Sequence, residues 1–303
     1  MPQPSYEGHT MTKPKIGFIG LGLMGANMAE NLQNRGFELV VFGRKKSVVD
    51  AVLDRGNAHQ ADTPRELAAA CDIVMLCVTT SEVVESLIYG EDGILAGIKD
   101  GAVVIDFGTS IPASTRKIGA DLATKGAGMI DAPLGRSPMH AKDGLLNIMA
   151  AGEKATFDKV KPVLDEQGEN VFYLGALGAG HTTKLINNFM SMTTACVMSQ
   201  AFAMADRTGI ERGLLYDIMS AGPSNSPMMG FCKNYAVDGV SDLGFSIHNA
   251  NKDLGYFLQF AEDLGTRAEI AEGTSQNLQA AVAAGLGDGN VPEIFEYFMT
   301  LER

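Results

Sequence analysis

The sequence lacks the residue patterns that mark disulfide scaffolds and metal sites. Only four of its 303 residues are cysteine, and none forms a C-x-x-C pair or stands at zinc-finger spacing from a histidine. The five histidines form no H-x-x-x-H pattern, so no metal site is predicted. The cysteines are expected to be reduced thiols of a cytoplasmic protein.

Excess basic charge and long apolar runs are also missing. With 24 Lys and Arg residues against 36 Asp and Glu residues, the formal net charge is -12, which argues against nucleic-acid or membrane-surface binding. No apolar run reaches the roughly 18 residues of a membrane span. The polar start of the chain lacks the apolar core of a signal peptide. We therefore expect a cytoplasmic protein without a membrane segment, with residues 1–12 as a flexible tail.

The composition that is present, 46% hydrophobic, suffices to bury the core of one large or two ordinary domains. In the first half, short apolar runs alternate with stretches of helical spacing, which predicts a parallel, doubly wound α/β sheet. The apolar runs lie at 15–20, 39–42, 73–78, 103–106, 129–131 and 145–150.

Beyond residue 177 the strand signals end. Residues 182–207 contain no proline or glycine, and helical patterns follow around 211–219, 254–264 and 267–284. The predicted domains are therefore an α/β domain at 13–177 and an all-helical C-terminal domain at 178–303, joined by one long helix.

A glycine-rich turn follows the first apolar run. Its sequence, GLGLMG, is the G-x-G-x-x-G pattern placed between a predicted strand and a predicted helix. Gly20 permits the tight turn, Gly22 lets a pyrophosphate approach the backbone, and Gly25 lets the helix pack closely. The helix start, with Leu23 and Met24, offers free N–H groups to phosphates. The turn predicts a Rossmann-type dinucleotide site; the alternative is a turn that only joins strand to helix.

The end of the second apolar run indicates which dinucleotide is preferred. NAD enzymes usually place an Asp or Glu there to bind the ribose hydroxyls. This chain has Gly43 followed by Arg44 and Lys45. Because these cations can neutralise a ribose 2′-phosphate, the sequence favours NADP(H) over NAD(H). The alternative is that they only form a solvated helix start.

A polar stripe lies on the predicted long helix. Lys184, Asn187, Asn188 and Ser191 are spaced so that they share one side, and the residues between them are apolar. A desolvated lysine has a lowered pKa and can donate a proton near neutral pH, as carbonyl reduction requires. The alternative is a hydrogen-bond network between helices with a surface lysine. His181, one turn earlier, is expected to face water.

A loop with an arginine follows the apolar run at 129–131. Gly135, Arg136 and Ser137 stand at the presumed carboxyl edge of the sheet, where open α/β sheets bind ligands. Arg136 offers a planar clamp for a carboxylate, sulfonate or phosphate, and Ser137 adds a hydroxyl. An arginine in a surface ion pair is the alternative interpretation.

These pieces, in this order, resemble the β-hydroxyacid dehydrogenase family from residue 15 to about residue 301. The shared marks are GLGLMGANMAENL at 20–32, DAP at 131–133, the G-x-G-x-x-x-K-x-x-N-N string at 178–188 and KDL at 252–254. The resemblance implies an NAD(P)-dependent oxidoreductase that interconverts an aldehyde and an alcohol, a helical domain that serves substrate binding and oligomerisation, and a homodimer or homotetramer.

The resemblance also implies roles for single residues. Lys184 is then the general acid for reduction by hydride transfer, Asn188 orients the lysine or the substrate, and Asn187 positions the substrate. Three further residues are expected near the cofactor: Val78, Thr109 and Lys252.

One departure from the family pattern concerns the substrate. Most members carry Ser-Gly-Gly where this chain has Gly135, Arg136 and Ser137. Together with KLINNFMS on the long helix, this looks like the sulfolactaldehyde reductase branch, in which Arg136, Asn187 and Ser191 would bind a sulfonate. Gly43 departs from that branch, whose best-known type has an acidic residue there and uses NADH.

The substrate expected first is therefore 3-sulfolactaldehyde, reduced to 2,3-dihydroxypropane-1-sulfonate. Succinic semialdehyde and 3-hydroxyisobutyrate are the alternatives, because a guanidinium pairs with either kind of anion. A protein that senses a dinucleotide without turnover is a second alternative, against which the presence of Lys184 argues.

Overall fold

The computed structural model describes residues 13–301, which form two compact units divided between His181 and Thr182. The first unit is an α/β unit built on a nine-stranded sheet, and the second is helical. The predicted fold class is thereby confirmed. The sequence prediction set the division after residue 177, and its flexible tail, residues 1–12, lies outside the described residues.

The strands of the first unit are short. They are β1 Ile16–Ile19, β2 Leu39–Phe42, β3 Ala58–Gln60, β4 Ile73–Leu76, β5 Val103–Asp106, β6 Gly128–Asp131, β7 Leu134–Gly135, β8 Leu146–Gly152 and β9 Gly168–Tyr173. The first six are parallel in the order β3-β2-β1-β4-β5-β6, and β8 then pairs antiparallel with β6 and β7 and parallel with β9. The order reverses direction at β1 and β4, the position where such sheets bind ligands.

Helices connect these strands and cover the sheet. They are α1 Leu23–Asn34, α2 Lys46–Leu53, α3 Pro64–Ala70, α4 Ser81–Tyr89, α5 Ile94–Gly97, α6 Pro112–Ala123, α7 Pro138–Asp143 and α8 Lys154–Asp165. The hydroxyls of Thr63 and Thr80 cap α3 and α4 by accepting N–H groups of the first turn, as such residues do at helix starts.

Alternate residues of the central strands supply two separate cores. Val103 and Ile105 of β5 belong to one buried cluster, whereas Val104 belongs to the other. Successive side chains of a strand point to opposite faces, so this sheet is buried on both sides. The polar residues of this unit that the sequence singled out consequently lie at the strand ends and in the loops that follow them.

The second unit consists of helices around its own core. They are α9 Ala179–Thr208, whose first three residues belong to the first unit, α10 Arg212–Ser220, α11 Pro227–Asp238, α12 Ile247–Asp263, α13 Glu269–Ala281 and α14 Ile294–Thr300. A π-helical turn, Val282–Leu286, and a 3-10 turn, Val291–Glu293, precede α14. Phe202, Leu254 and Leu278 are fully buried in this core. Within residues 13–301 no helix combines the length and apolarity that a membrane crossing needs.

Candidate functional site

The turn between β1 and α1 has the backbone that its glycines predict. Gly20 has a φ of +100°, and a Cβ there would lie 2.2 Å from the carbonyl oxygen of Cys77. A Cβ on Gly25 would lie 1.9 Å from the carbonyl oxygen of Gly20, whereas one on Gly22 would meet nothing within 4 Å. The helix has no capping side chain. Open space at Gly22 and uncapped N–H groups fit the pyrophosphate of a dinucleotide.

The first turn of α1 places its two apolar side chains differently. Leu23 is 76% exposed, whereas Met24 is half-buried against the core of the first unit. Leu23 is therefore an apolar side chain held in solvent beside the glycine turn.

The loops after β4 and β5 lie at the same edge of the sheet as Gly20, because these strands run parallel to β1. Val78 and Thr109 are half-buried there. A Cβ on Gly108 would lie 3.0 Å from both the Val78 carbonyl oxygen and an Asp106 carboxylate oxygen. The two loops therefore pack closely, and the structure brings three of the predicted cofactor residues to one edge.

The cations after β2 lie near that edge as well. β2 pairs with β1 in parallel, so Gly43 follows directly beside the end of β1. Arg44 and Lys45 are exposed, and neither forms an ion pair with another residue in 13–301, whereas Lys46 pairs with Asp50 at 2.7 Å. Two positive charges therefore remain available to an anionic group.

In the second unit, α9 and α12 bring four polar side chains together. Asn188 Nδ2 donates a hydrogen bond of 2.6 Å to Asp253 Oδ2, and Lys252 Nζ lies 2.6 Å from Asp253 Oδ1. Asn187 donates to Asn188 Oδ1 at 3.3 Å. Asp253 is 2% exposed, so its carboxylate is a buried charge that needs these partners.

Lys184 lies one turn before Asn188 on α9 and is half-buried. Burial lowers the pKa of the Lys184 ammonium, and the positive charge of Lys252 lowers it further. The Asp253 carboxylate raises the pKa, but the net result is a lowered pKa. A lowered pKa makes the ammonium a stronger proton donor. Ser191, one turn beyond Asn187, is half-buried, and Asn187 is exposed.

Asp253 is the residue that the sequence interpretation did not assign to the site. It belongs to the KDL segment, in which only Lys252 was assigned a role. The available signal was spacing, since Ala250, Asp253 and Leu254 fall on the buried side of α12. An acidic residue among apolar positions of a helix must have polar partners, which pointed to a buried network.

Arg136 lies in a strained loop and is already engaged. Its φ is +77°, in the left-handed region that favours glycine. Its Nη1 donates to the carbonyl oxygen of Leu145 at 2.7 Å, and its Nη2 pairs with the carboxylate of Glu169 on β9. This is the arrangement of the ion-pair alternative, so a substrate anion at Arg136 has to compete with Glu169.

The residues beside Arg136 complete this loop. Ser137 Oγ lies 2.7 Å from His140 Nδ1, one turn later in α7. A Cβ on Gly135 would lie 3.3 Å from that of Asn147 on the neighbouring β8. The loop therefore carries a serine hydroxyl with a histidine partner, next to a closely packed strand pair.

The expectation that His181 faces water is wrong. Its side chain is fully buried, with Nδ1 2.8 Å from Thr115 Oγ1 and Nε2 3.6 Å from Asp106 Oδ2. Its backbone N–H and that of Gly178 donate to the two carboxylate oxygens of Asp131, at 2.7 and 2.8 Å. The end of β6 thus caps the start of α9, and burial raises the pKa of Asp131. Helix position alone could not show that two strand ends cover this histidine.

Within residues 13–301 no three His, Cys, Asp or Glu side chains are grouped as metal ligands would be. Titratable side chains do gather around two buried residues, Asp253 and His181.

Two family models match consecutive parts of the chain. The NAD binding domain of 6-phosphogluconate dehydrogenase matches residues 15–175, and the NAD-binding domain of NADP-dependent 3-hydroxyisobutyrate dehydrogenase matches residues 178–298. The two matches together cover both units of the structure.

Individual relatives cover almost the whole chain. Similar proteins include 3-sulfolactaldehyde reductase of Escherichia coli (30% identical, over 93% of this chain and 94% of the relative). Another is glyoxylate/succinic semialdehyde reductase 2 of Arabidopsis thaliana (29% identical, over 93% and 78%). Among solved structures, 3-hydroxyisobutyrate dehydrogenase from Salmonella typhimurium superposes with a TM-score of 0.83 at 26% identity, over 94% of this chain and 100% of that one.

Proposed function

Because the chain belongs to the β-hydroxyacid dehydrogenase family and is an NAD(P)-dependent oxidoreductase acting on CH–OH groups, we propose that it interconverts a short anionic aldehyde and its alcohol. The substrate we propose first is 3-sulfolactaldehyde, reduced to 2,3-dihydroxypropane-1-sulfonate. The observation that carries the proposal is the half-buried Lys184, which lies near the buried Asp253 and whose pKa is lowered by burial.

The chemistry divides between cofactor and protein. When bound, the nicotinamide cofactor supplies a hydride to the carbonyl carbon. Lys184 Nζ donates a proton to the carbonyl oxygen, which becomes the hydroxyl of the product. Asn188, held by its 2.6 Å hydrogen bond to Asp253, orients the lysine or the substrate. In alcohol oxidation Lys184 takes the proton back, for which its neutral amine is the active form.

The anionic end of the substrate needs cationic and polar partners. In this proposal a sulfonate displaces the Glu169 carboxylate from Arg136, since a guanidinium binds either anion through two parallel N–H groups. Similarity to the sulfolactaldehyde reductase of Escherichia coli supports the choice of sulfonate. The residues proposed to hold this end are Gly135, Arg136, Ser137, Asn187 and Ser191.

We propose NADP(H) as the preferred cofactor. Exposed cations follow β2 where NAD enzymes usually have an acidic residue, and such cations suit a 2′-phosphate. The residues that would hold the pyrophosphate are Gly20, Gly22, Leu23, Met24 and Gly25. Those that would bind the 2′-phosphate or line the rest of the cofactor are Arg44, Lys45, Val78, Thr109 and Lys252.

Two other substrates remain in competition because relatives carry their names. Succinic semialdehyde is in the name of the Arabidopsis relative, and 3-hydroxyisobutyrate in that of the Salmonella structure. Both present a carboxylate to which Arg136 can bind equally well. A protein that only senses a dinucleotide has no use for a proton donor at Lys184.

The test is the initial rate of NADPH and NADH oxidation with sulfolactaldehyde, succinic semialdehyde and methylmalonate semialdehyde side by side. We expect sulfolactaldehyde with NADPH to give the highest kcat/KM. We expect Lys184→Ala to lower kcat by about 100-fold or more, the usual contribution of a general acid. Lys233→Ala, at a surface lysine of the same unit paired with Asp238, is the control. If an aldehyde with a carboxylate is reduced faster, the proposed substrate is wrong. If Lys184→Ala keeps the parent kcat, the proposed mechanism is wrong.

We also propose a homodimer or homotetramer, on the basis of an apolar stripe on α9. Its four members are separated by four and seven residues and therefore share one face of the helix. They are 50 to 67% exposed, which is unusual for adjacent large apolar side chains on a monomer. The stripe consists of Ile186, Met190, Val197 and Met204.

A further inference from the structure

The cluster around His181 is a buried polar group that the proposed reaction does not use. Thr115, Asp106, Asp131 and His181 are each at most 1% exposed. His181 Nε2 forms no hydrogen bond within residues 13–301, although it lies 3.6 Å from Asp106 Oδ2. Burying polar atoms so deeply costs free energy unless they form hydrogen bonds, so their arrangement needs an explanation.

A role of His181 toward Asp106 requires one tautomer of the ring. The single proton of the Thr115 hydroxyl can go to Nδ1 at 2.8 Å or to the carbonyl oxygen of Ile111 at 3.2 Å. If Thr115 donates to Nδ1, the ring proton is on Nε2 and points to the Asp106 carboxylate. If Thr115 donates to Ile111, the ring proton is on Nδ1 and the Nε2 lone pair faces that carboxylate.

Asp106 in turn shapes the loop that follows β5. Its Oδ1 accepts the Gly108 N–H at 2.8 Å, and its Oδ2 accepts the Ser110 hydroxyl at 2.8 Å. Thr109 lies between these two anchored residues. The only ion-pair partner of Asp106 among residues 13–301 is His181. The buried carboxylate thus accepts two hydrogen bonds from the loop, and the His181 imidazole is its neighbour outside the loop, with Nε2 3.6 Å from Oδ2.

We propose that His181 is a positioning residue of the cofactor site, which holds the Asp106 carboxylate and through it the 107–110 loop in the conformation that presents Thr109 to the dinucleotide. The inference rests on the proposed placement of Thr109 at the cofactor. It does not depend on the identity of the substrate, because its effect is on cofactor binding.

The test compares two amide substitutions of different reach. Glutamine can place its amide N–H near the position of Nε2 and keep the contact with Asp106, whereas asparagine reaches only the position of Nδ1 and keeps the contact with Thr115. We expect His181→Asn to raise the Kd of NADPH about tenfold, the size expected when a buried carboxylate loses a polar neighbour. We expect His181→Gln to stay within about twofold of the parent. Fluorescence titration of NADPH on the full chain measures both, without substrate.

His59→Gln, at an exposed histidine of the same unit, is the control and should leave the Kd unchanged. A folded His181→Asn variant with the parent affinity would overturn the inference, as would equal losses in the Asn and Gln variants. Thr109→Ala separates the two levels of the argument. If it leaves NADPH affinity unchanged, the placement of Thr109 fails, whereas an affected Thr109→Ala beside an unaffected His181→Asn contradicts the role of His181 alone.

A measurement on the parent protein keeps the inference testable should the variants not fold. The ¹⁵N shifts of the His181 imidazole at about pH 8 report which ring nitrogen carries the proton. A proton on Nε2 is expected. A proton on Nδ1 with a bare Nε2 would remove the contact with Asp106 and overturn the inference.

Discussion

Two opposed charges act on the ammonium of Lys184. The Asp253 carboxylate raises the pKa of Lys184, whereas burial and Lys252 lower it. In the proposed mechanism reduction needs the protonated lysine, so we expect its rate to fall as the pH rises through this pKa. The pH at which reduction declines is therefore determined by the neighbours of Lys184 as much as by the lysine itself.

Asp253→Asn should shift this decline to lower pH. Removing the carboxylate leaves only the two influences that lower the pKa of Lys184, so the protonated form is lost earlier as pH rises. The measurement is the pH profile of kcat for aldehyde reduction. Asp263→Asn, an exposed position at the end of the same helix, should keep the parent profile. A profile unchanged by Asp253→Asn would show that Lys184 does not limit the reaction.

Arg136 and Glu169 provide a second test at the residue scale, because the two side chains form an ion pair that an anionic substrate must open. Glu169→Gln should lower KM for the aldehyde about threefold, the size expected of a partly exposed pair. Arg136→Gln should raise it about tenfold.

The control is Glu166→Gln, which breaks a different ion pair of the same unit, with Arg35. Steady-state kinetics with kcat unchanged in all three variants is the expected pattern. If Arg136→Gln left KM unaltered, Arg136 would serve only to hold its loop.

In the proposed function, Arg44 contributes to the preference for NADPH. Arg44→Gln should lower the ratio of kcat/KM for NADPH to that for NADH about tenfold, because one charged contact to the 2′-phosphate is removed. Lys46→Gln is the matched control, since this neighbouring cation is paired with Asp50. Equal losses with both cofactors would assign Arg44 to a general role in binding.

Among helices and strands, the sequence predicted the features that depend only on residues close together in the chain. The G-x-G-x-x-G turn and the polar stripe of α9 both depend on residues within a few positions of one another, and both elements are present. β3 was not predicted because Ala58, His59 and Gln60 form no apolar run and lie at the edge of the sheet. The two-residue β7 is too short to give any pattern.

Helices were missed where they carry breaking residues. α11 contains Gly230 and begins at Pro227, which in the sequence indicates a break; the proline occupies the first turn, where it is tolerated. α12 begins at Ile247, before the predicted stretch. The site partners Asp253 and His181 were missed for a different reason, since their contacts join residues that are far apart in sequence.

The proposed assembly through the apolar stripe on α9 can be tested on the whole molecule. Met190→Glu should convert the proposed oligomer to a monomer, because a carboxylate at a buried apolar interface is strongly disfavoured. Sedimentation velocity measures the change. Met139→Glu, at a methionine of the first unit that is 68% exposed, should leave the assembly intact. A parent protein that sediments as a monomer would contradict the proposal directly.

The strand order of the first unit also affects how this unit folds during synthesis. β1 lies at the centre of the parallel sheet, between β2 and β4, and in sequence β4 follows only after β3 and three helices. A nascent chain that has not yet reached Leu76 therefore leaves the backbone N–H and C=O groups along one edge of β1 unpaired. Such delayed parallel pairing slows folding and invites association of unfinished chains. We therefore expect the parallel sheet of this unit to form only after β4 has been synthesised.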